Sequence, residues 1–236
     1  PQNSIRYHAS LLSEQDLYLF NEGSHYRIYE KLGFHTIEVN GVNGTCFSVW
    51  APNARAVYVM GSFNGWSQDE HPLSPRGSSG SWEGFIPGVE KGALYKYLIH
   101  SHNQGFRAEK ADPVGLFMEQ PPRTASIVWD LDYQWNDGSW MQHRREKNSQ
   151  HAAISIYEVH FGSWARSPEE GGRSLSYREI APKLAEYVRQ MGFTHVEFLP
   201  LMEHPFYGSW GYQTAGYFAP TSRYGTPHVF ILLVDH

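Results

Sequence analysis

One cysteine, Cys46, stands in 236 residues. That excludes an intramolecular disulfide framework and fits a reducing compartment. The sequence also lacks any run of about 18 or more apolar residues, the length a membrane-crossing helix requires. Its first residues, PQNSIRYHASLLSEQ, contain no continuous apolar stretch of the signal-peptide kind. A cytoplasmic location and no membrane partner are therefore expected. Basic runs are missing too: 19 Lys+Arg against 24 Asp+Glu leave a net charge of −5. A chain of that charge is a poor tracker of phosphate backbones, so no nucleic-acid partner is expected. Thirteen His residues form no His-Glu-x-x-His motif and no clustered Cys/His set. His100 and His102 alternate along a strand pattern but stand alone, so neither a metal nor another cofactor is expected.

Aromatic residues are abundant: 8 Trp, 15 Tyr and 13 Phe, 15% of the chain. This is enough apolar material for one or two cores, which argues against global disorder. Several Trp sit beside Gly, Asn and Ser in turn-like contexts: Trp66 in Gly61-Ser-Phe-Asn-Gly-Trp66, Trp82 after Gly80-Ser81, and Trp210 in Gly208-Ser-Trp-Gly211. An exposed flat ring is costly in water unless something stacks on it, and the apolar faces of sugar rings stack in that way.

Along the chain, 11–33 reads as one or two short helices. Ser13 and Asp16 resemble a capping box, and Gly33 is a plausible stop. From about 35 to 130 the pattern changes to short strands divided by Ala51-Pro52-Asn53, Asn64-Gly65, Gly77-Ser-Ser-Gly80 and Pro87-Gly88, the spacing of a β-sandwich. In it Cys46 reads as a small core residue. Residues 131–151 are polar and turn-rich and read as a linker. Beyond 152 the pattern is strand, helix, strand, helix. Ile154–Val159 suits a buried strand, and 177–191 places Ile180, Leu184, Tyr187, Val188 and Met191 at helical spacing before Gly192. A second strand occupies 194–200. After a Gly- and Tyr-rich loop, Thr226-Pro227 reads as N-cap and first residue of a further helix. Asn43-Gly-Thr45, formally a glycosylation sequon, is more simply a turn.

Longer ordered motifs carry more. They are Phe47-Ser-Val-Trp-Ala-Pro-Asn-Ala54, Gly61-Ser-Phe-Asn-Gly-Trp66, Tyr157-Glu-Val-His-Phe-Gly-Ser-Trp164 and Glu197-Phe-Leu-Pro-Leu-Met-Glu-His-Pro205. The last continues through Gly208-Ser-Trp-Gly-Tyr-Gln213 to Tyr217-Phe-Ala-Pro-Thr-Ser-Arg-Tyr-Gly-Thr-Pro227. From about residue 15 onward the chain resembles the N-terminal portion of the bacterial 1,4-α-glucan (glycogen) branching enzymes, of the α-amylase-like glycoside hydrolase family.

The resemblance implies a multidomain fold. An N-terminal helical segment (1–34) precedes an all-β, immunoglobulin-like sandwich of the carbohydrate-binding kind (35–130). A linker (131–151) leads to the first β/α units of an incomplete (β/α)8 TIM barrel (152–236). It implies an α-glucan partner and a reaction that cuts an α-1,4 glucan and rejoins the piece through an α-1,6 bond. Retaining transfer of this kind needs two carboxyl groups about 5–5.5 Å apart. The family takes them from later barrel strands, and no segment here matches them. No catalytic residue is therefore assigned, and the chain alone is expected to be inactive. Glu158, Glu197, Glu203 and Asp235 read as structural carboxylates, and His160 and His204 as loop-packing residues. The resemblance assigns sugar stacking to Tyr212, with Gln213 and Trp210 shaping its loop. In the sandwich it points to Trp66, Trp82 and Lys96, with Gly105-Phe106 where related modules often carry a second stacking Trp. A non-catalytic glucan-binding module, and a fragment of a related debranching or trehalohydrolase enzyme, stay open as alternatives.

Overall fold

The structure, a computed structural model, describes residues 4–6, 8–103 and 105–236. It divides into two compact units. One comprises 1–130 with 216–219, the other 131–215 with 220–236.

The first unit is built on two sheets. Strands β1 (Gly33–Val39), β2 (Val42–Trp50), β4 (Ser74–Pro75) and β5 (Ser81–Pro87) form an antiparallel sheet in the order β1-β2-β5-β4. Strands β3 (Ala54–Gly61), β6 (Leu94–Ser101) and β7 (Arg107–Lys110) form the other, with β8 (Ser126–Ile127) on β6. Phe47, Val49, Trp82 and Ile86 from one sheet meet Val57, Val59, Tyr95 and Tyr97 from the other in a single core. Each fully buried side chain of this size contributes about 1.5–3 kcal/mol. The sandwich reading of this segment thus rests on a shared core between two sheets.

β2 is buried on both faces. Its inward residues alternate with Cys46, which packs with Phe85, Ala9 and Leu11 of the N-terminal segment. Glu83 on β5 fastens that segment. Its buried carboxylate accepts from Ser10 Oγ (2.6 Å), Leu11 N (2.7 Å), Leu12 N (3.3 Å) and Arg76 Nη1 (3.0 Å). Helix α1 (Glu14–Glu22) follows, closed by the Ser13/Asp16 capping box and by Gly23 at φ +84°. Gly33 does not stop a helix. It opens β1, at φ +92°.

Asp112 is fully buried in this unit. Its carboxylate accepts from Tyr95 Oη (2.6 Å), Tyr97 Oη (3.2 Å) and the Val114 amide (2.9 Å). Complete burial pushes its pKa up to about 6, against the opposing pull of these three donors.

In the second unit, β9 (Ile156–Val159) and β12 (His195–Phe198) pair in parallel. Between them lie the short helix α3 (Phe161–Trp164), the two-residue strands β10 (Arg166–Ser167) and β11 (Arg173–Ser174), and helix α4 (Tyr177–Met191). Helix α5 (Pro227–Asp235) comes last. Parallel strands need a crossover of this kind, and α4 supplies it. Ser176 caps α4 by accepting from Glu179 N, the Glu179 side chain reaches back, and Gly192 ends the helix at φ +78°. Its buried face is Tyr177, Ile180, Ala181 and Leu184, packed on Val159, Phe161, Leu175 and Tyr224. The face therefore sits one turn nearer the N-terminus than the periodicity suggested. Met191 is exposed, and Tyr187 is held at the surface by ring contacts to Tyr157 and Trp164.

The stretch read as a linker contains helix α2 (Gly138–Lys147), which has no buried residue. Thr226 has the extended backbone of an N-cap, but its side chain makes no capping bond.

Candidate functional site

Two surfaces carry the residues singled out from the sequence, one in each unit. In the first unit, the turn after β3 presents Trp66. Asn64 builds it. Its Oδ1 accepts from Gly61 N (2.9 Å), and its Nδ2 reaches Val59 O (3.2 Å) and Nδ1 of the buried His71 (2.9 Å). Gly61 is required by closeness: a Cβ there would lie 2.2 Å from Leu94 O. Gly65 (φ +60°) and Trp66 itself (φ +62°) then adopt left-handed conformations, which for a tryptophan is a strained choice. Trp66 N closes the turn on Gly61 O at 2.9 Å. Because Gly61 pairs with Tyr95 and Met60 with Lys96, the turn and Lys96 share one end of the β3–β6 ladder. Trp66 is half-buried, and the Lys96 ammonium stands 3.6 Å from Glu109.

Trp82 does not join this surface. Its register on β5, opposite Val49, turns it into the core, where Nε1 donates to Ala51 O at 3.1 Å. A turn-like neighbourhood in sequence was a misleading guide here, because strand alternation decided the side.

In the second unit, the loop after β12 displays aromatics. Trp210 stands at φ +54° and is followed by Gly211 at φ +88°. Gly211 lies so close to Pro200 that a Cβ would come within 2.1 Å of its carbonyl oxygen. The Trp210 ring lies tilted against the His160 ring (centroids 5.8 Å apart), and Tyr207 meets the same imidazole edge-on (6.2 Å). His160 Nδ1 is held by Ser163 Oγ at 2.6 Å. Partial burial, with help from Arg166, lowers its pKa and favours the neutral ring. Tyr212 is 69% exposed, and Gln213 is exposed beside it. Trp210, Tyr212 and Gln213 thus share one loop surface.

Glu203 supports that loop. Its buried carboxylate accepts from Ser222 N (2.7 Å), Ser222 Oγ (2.7 Å), Arg223 Nη1 (3.0 Å), Thr221 Oγ1 (3.1 Å) and His204 N (3.1 Å). A carboxylate so occupied is a structural hub. The density of its partners was not readable, because all but the His204 amide lie 18–20 residues downstream. Asp235 is likewise structural, accepting from Tyr133 Oη and from the Asn136 amide and side chain. Glu158 differs from expectation. It is exposed, register-paired with the exposed Glu197, and among the described residues bonds neither to backbone nor to arginine. Among the described residues no group of three or more His, Cys, Asp or Glu is placed to hold a metal ion. No helix there is long and apolar enough to cross a membrane.

Residues 31–115 match the family "Carbohydrate-binding module 48 (Isoamylase N-terminal domain)". Over 96% of its length the chain is 56% identical to the 1,4-alpha-glucan branching enzyme GlgB of Aquifex aeolicus, covering 36% of that protein. The corresponding enzyme of Rubrobacter xylanophilus is 56% identical over 95% of the chain, with 31% of that protein covered. That of Gloeobacter violaceus is 50% identical over 99%, with 32% covered. A crystal structure from Salmonella typhimurium, described as an alpha amylase, superposes on 86% of the chain with a TM-score of 0.65. At 24% identity and 30% coverage of that protein, it speaks for the fold alone. The chain spans about a third of the length of the curated relatives it matches.

Proposed function

Since this chain corresponds to the N-terminal portion of a 1,4-α-glucan branching enzyme, we propose that it holds the α-glucan for a branching reaction whose bond-breaking groups lie in other segments. The match across nearly the full 236 residues carries this reading. The module at 31–115 alone would not separate branching from debranching enzymes, because its family bears the name of the isoamylases.

In this reading 35–130 is the glucan-binding module, 131–151 the linker, and 152–236 the opening of a (β/α)8 barrel, in a cytoplasmic enzyme. The parallel β9–α4–β12 arrangement supports the barrel assignment. Trp66 and Lys96 grip the polymer in the module, the ring by stacking on a pyranose face and the ammonium by donating to hydroxyls. Tyr212 stacks on a sugar near the scissile bond. Gly211 and the His160 imidazole fix the backbone and the Trp210 ring beside it, with Gln213 alongside. One stacked ring contributes about 1 kcal/mol together with orientation. Glu203 takes no part in proton transfer, because its oxygens are filled by five donors.

Two assays test the two halves. Co-sedimentation with glycogen carries the chain into the pellet; a chain left in the supernatant contradicts glucan holding. In an iodine-stain assay on amylose the chain leaves the absorbance unchanged; a fall contradicts the assignment of the chemistry to other segments.

A further inference from the structure

The first unit holds a depression that glucan holding leaves unused. Its volume is about 520 Å³, and its lining comes from the end of β2, the start of β3, the loop before β5, the turn after β6 and the last turn of α1. Trp50, Arg55, Ser78 and His102 bring the chemistry. We propose that this depression binds a small organic phosphate, with the phosphate on Arg55, His102 and Ser78 and the ligand's ring flat against the Trp50 indole.

Charge selects the ligand class. Arg55 and His102 are the ionisable side chains of the lining, and no carboxylate stands with them. In a chain of net charge −5, such a patch is a place for an anion. Among the described residues the Arg55 guanidinium meets no carboxylate and donates no hydrogen bond, whereas Arg27, Arg76 and Arg123 of the same unit are each paired with a glutamate. A planar guanidinium with open donors matches phosphate oxygens two at a time. The His102 ring and the Ser78 amide and hydroxyl likewise make no hydrogen bond among the described residues, so their donors are left to a ligand. The ring half of the ligand follows from Trp50, which is 49% exposed and offers a flat apolar surface beside these groups.

The backbone aims these groups. The β3–β6 ladder pairs Ala54 with Ser101 and Ala56 with His100, so Arg55 is the extra residue of a bulge. A bulge takes its residue out of the regular alternation, which is how a strand re-aims a side chain toward a site. His102 N and Ser101 Oγ both donate to Asn53 O (3.0 and 3.2 Å), which ties the turn after β6 to the β2–β3 turn. The Ser78 loop is tied to the same turn. Ala51 N donates to Gly80 O at 2.8 Å, and Gly80, at φ +79°, passes so near that a Cβ would lie 2.9 Å from Pro52 Cα and 3.1 Å from Trp50 Nε1. Phe20 meets the indole edge-on at 5.8 Å. Ring, cation and donors therefore stand on connected backbone before a ligand arrives, and this lowers the cost of binding. The volume falls within the roughly 300–1,000 Å³ of small-molecule sites.

The test titrates the full chain with AMP, glucose 1-phosphate, inorganic phosphate and maltoheptaose. The readout is the Trp50 indole N–H signal in NMR spectra, assigned by Trp50→Phe substitution. AMP or glucose 1-phosphate shifts this signal, and maltoheptaose leaves it in place. Tighter binding of AMP puts a base on the indole and tighter binding of glucose 1-phosphate puts a sugar there; either supports the site. Arg55→Gln weakens the binding about tenfold, with thermal melting to verify folding. Should the variant unfold, weakening of the wild-type binding by added salt decides in its place. A Trp50 signal that neither organic phosphate moves overturns the proposal. So does an equal shift with maltoheptaose that Arg55→Gln leaves unchanged, and so does inorganic phosphate binding as tightly as both organic phosphates. Trp66 and Lys96 lie outside the depression, so none of these results touches the glucan reading.

Discussion

Asp112 shows what single residues govern here. Its folded-state pKa of about 6 lies above the ordinary carboxylate value of 3.8, so the folded unit holds the proton longer than the unfolded chain does. Folding stability therefore declines as pH rises through the window from about 4 to 6, by on the order of 3 kcal/mol. Asp16 acts in the opposite direction. Burial raises its pKa, but hydrogen bonds from Ser13 and His25 outweigh that and bring it down to about 2. The Asp112 contribution is isolated by comparing urea midpoints at pH 4 and pH 7 for wild type and Asp112→Asn. The variant flattens the dependence; identical pH profiles would contradict the assignment. Cys46 offers a simpler check. Burial and the neighbouring Glu83 push its thiol far up, so it reacts with a disulfide reagent only when the unit opens. Rapid labelling of the native chain is the contrary result. Its position as a small core residue was legible from strand alternation, whereas the buried role of Asp112 was not, because its partners Tyr95 and Tyr97 stand on β6, 17 and 15 residues upstream.

Among the elements, α4 was the most legible. Its apolar spacing and the Gly192 stop were readable in the sequence, and the structure adds the Ser176–Glu179 capping box that opens it. Ser176→Ala removes the cap and costs about 1 kcal/mol, measurable as a lower denaturation midpoint. α2 was hidden for a physical reason: it buries no residue, so it has no apolar period to read. Trp82 misled because its Gly and Ser neighbours suggested a turn, while the register with β2 turned it inward. The loop after β12 depends on a contact that crosses about twenty residues. Glu203→Ala would leave the partly buried Arg223 without its carboxylate partner, at a cost of about 2–3 kcal/mol. Faster proteolysis between 199 and 225 is the expected sign; unchanged cleavage would argue against the hub.

At the scale of the molecule, the two units differ in how much apolar surface they leave open. The sandwich encloses its core between two sheets and the N-terminal segment. In the second unit Ile154, Ile156, Met191 and Val234 are all more than half exposed, and its parallel sheet has only two strands. Limited proteolysis is therefore expected to cut first within 131–151 and then to degrade 152–236, leaving 35–130; equal protection of both halves would contradict this. The sandwich was legible from turn spacing, and the strand–helix–strand order from periodicity. The placement of the Trp66 turn and of Lys96 at one end of the β3–β6 ladder needed the β3–β6 register, which no local pattern supplies. The most direct measurement of the central claim is electrophoresis of the native chain through gels with and without glycogen. Glycogen slows the wild-type chain, and Trp66→Ala and Lys96→Ala restore much of its mobility. A chain that migrates equally in both gels would contradict the account.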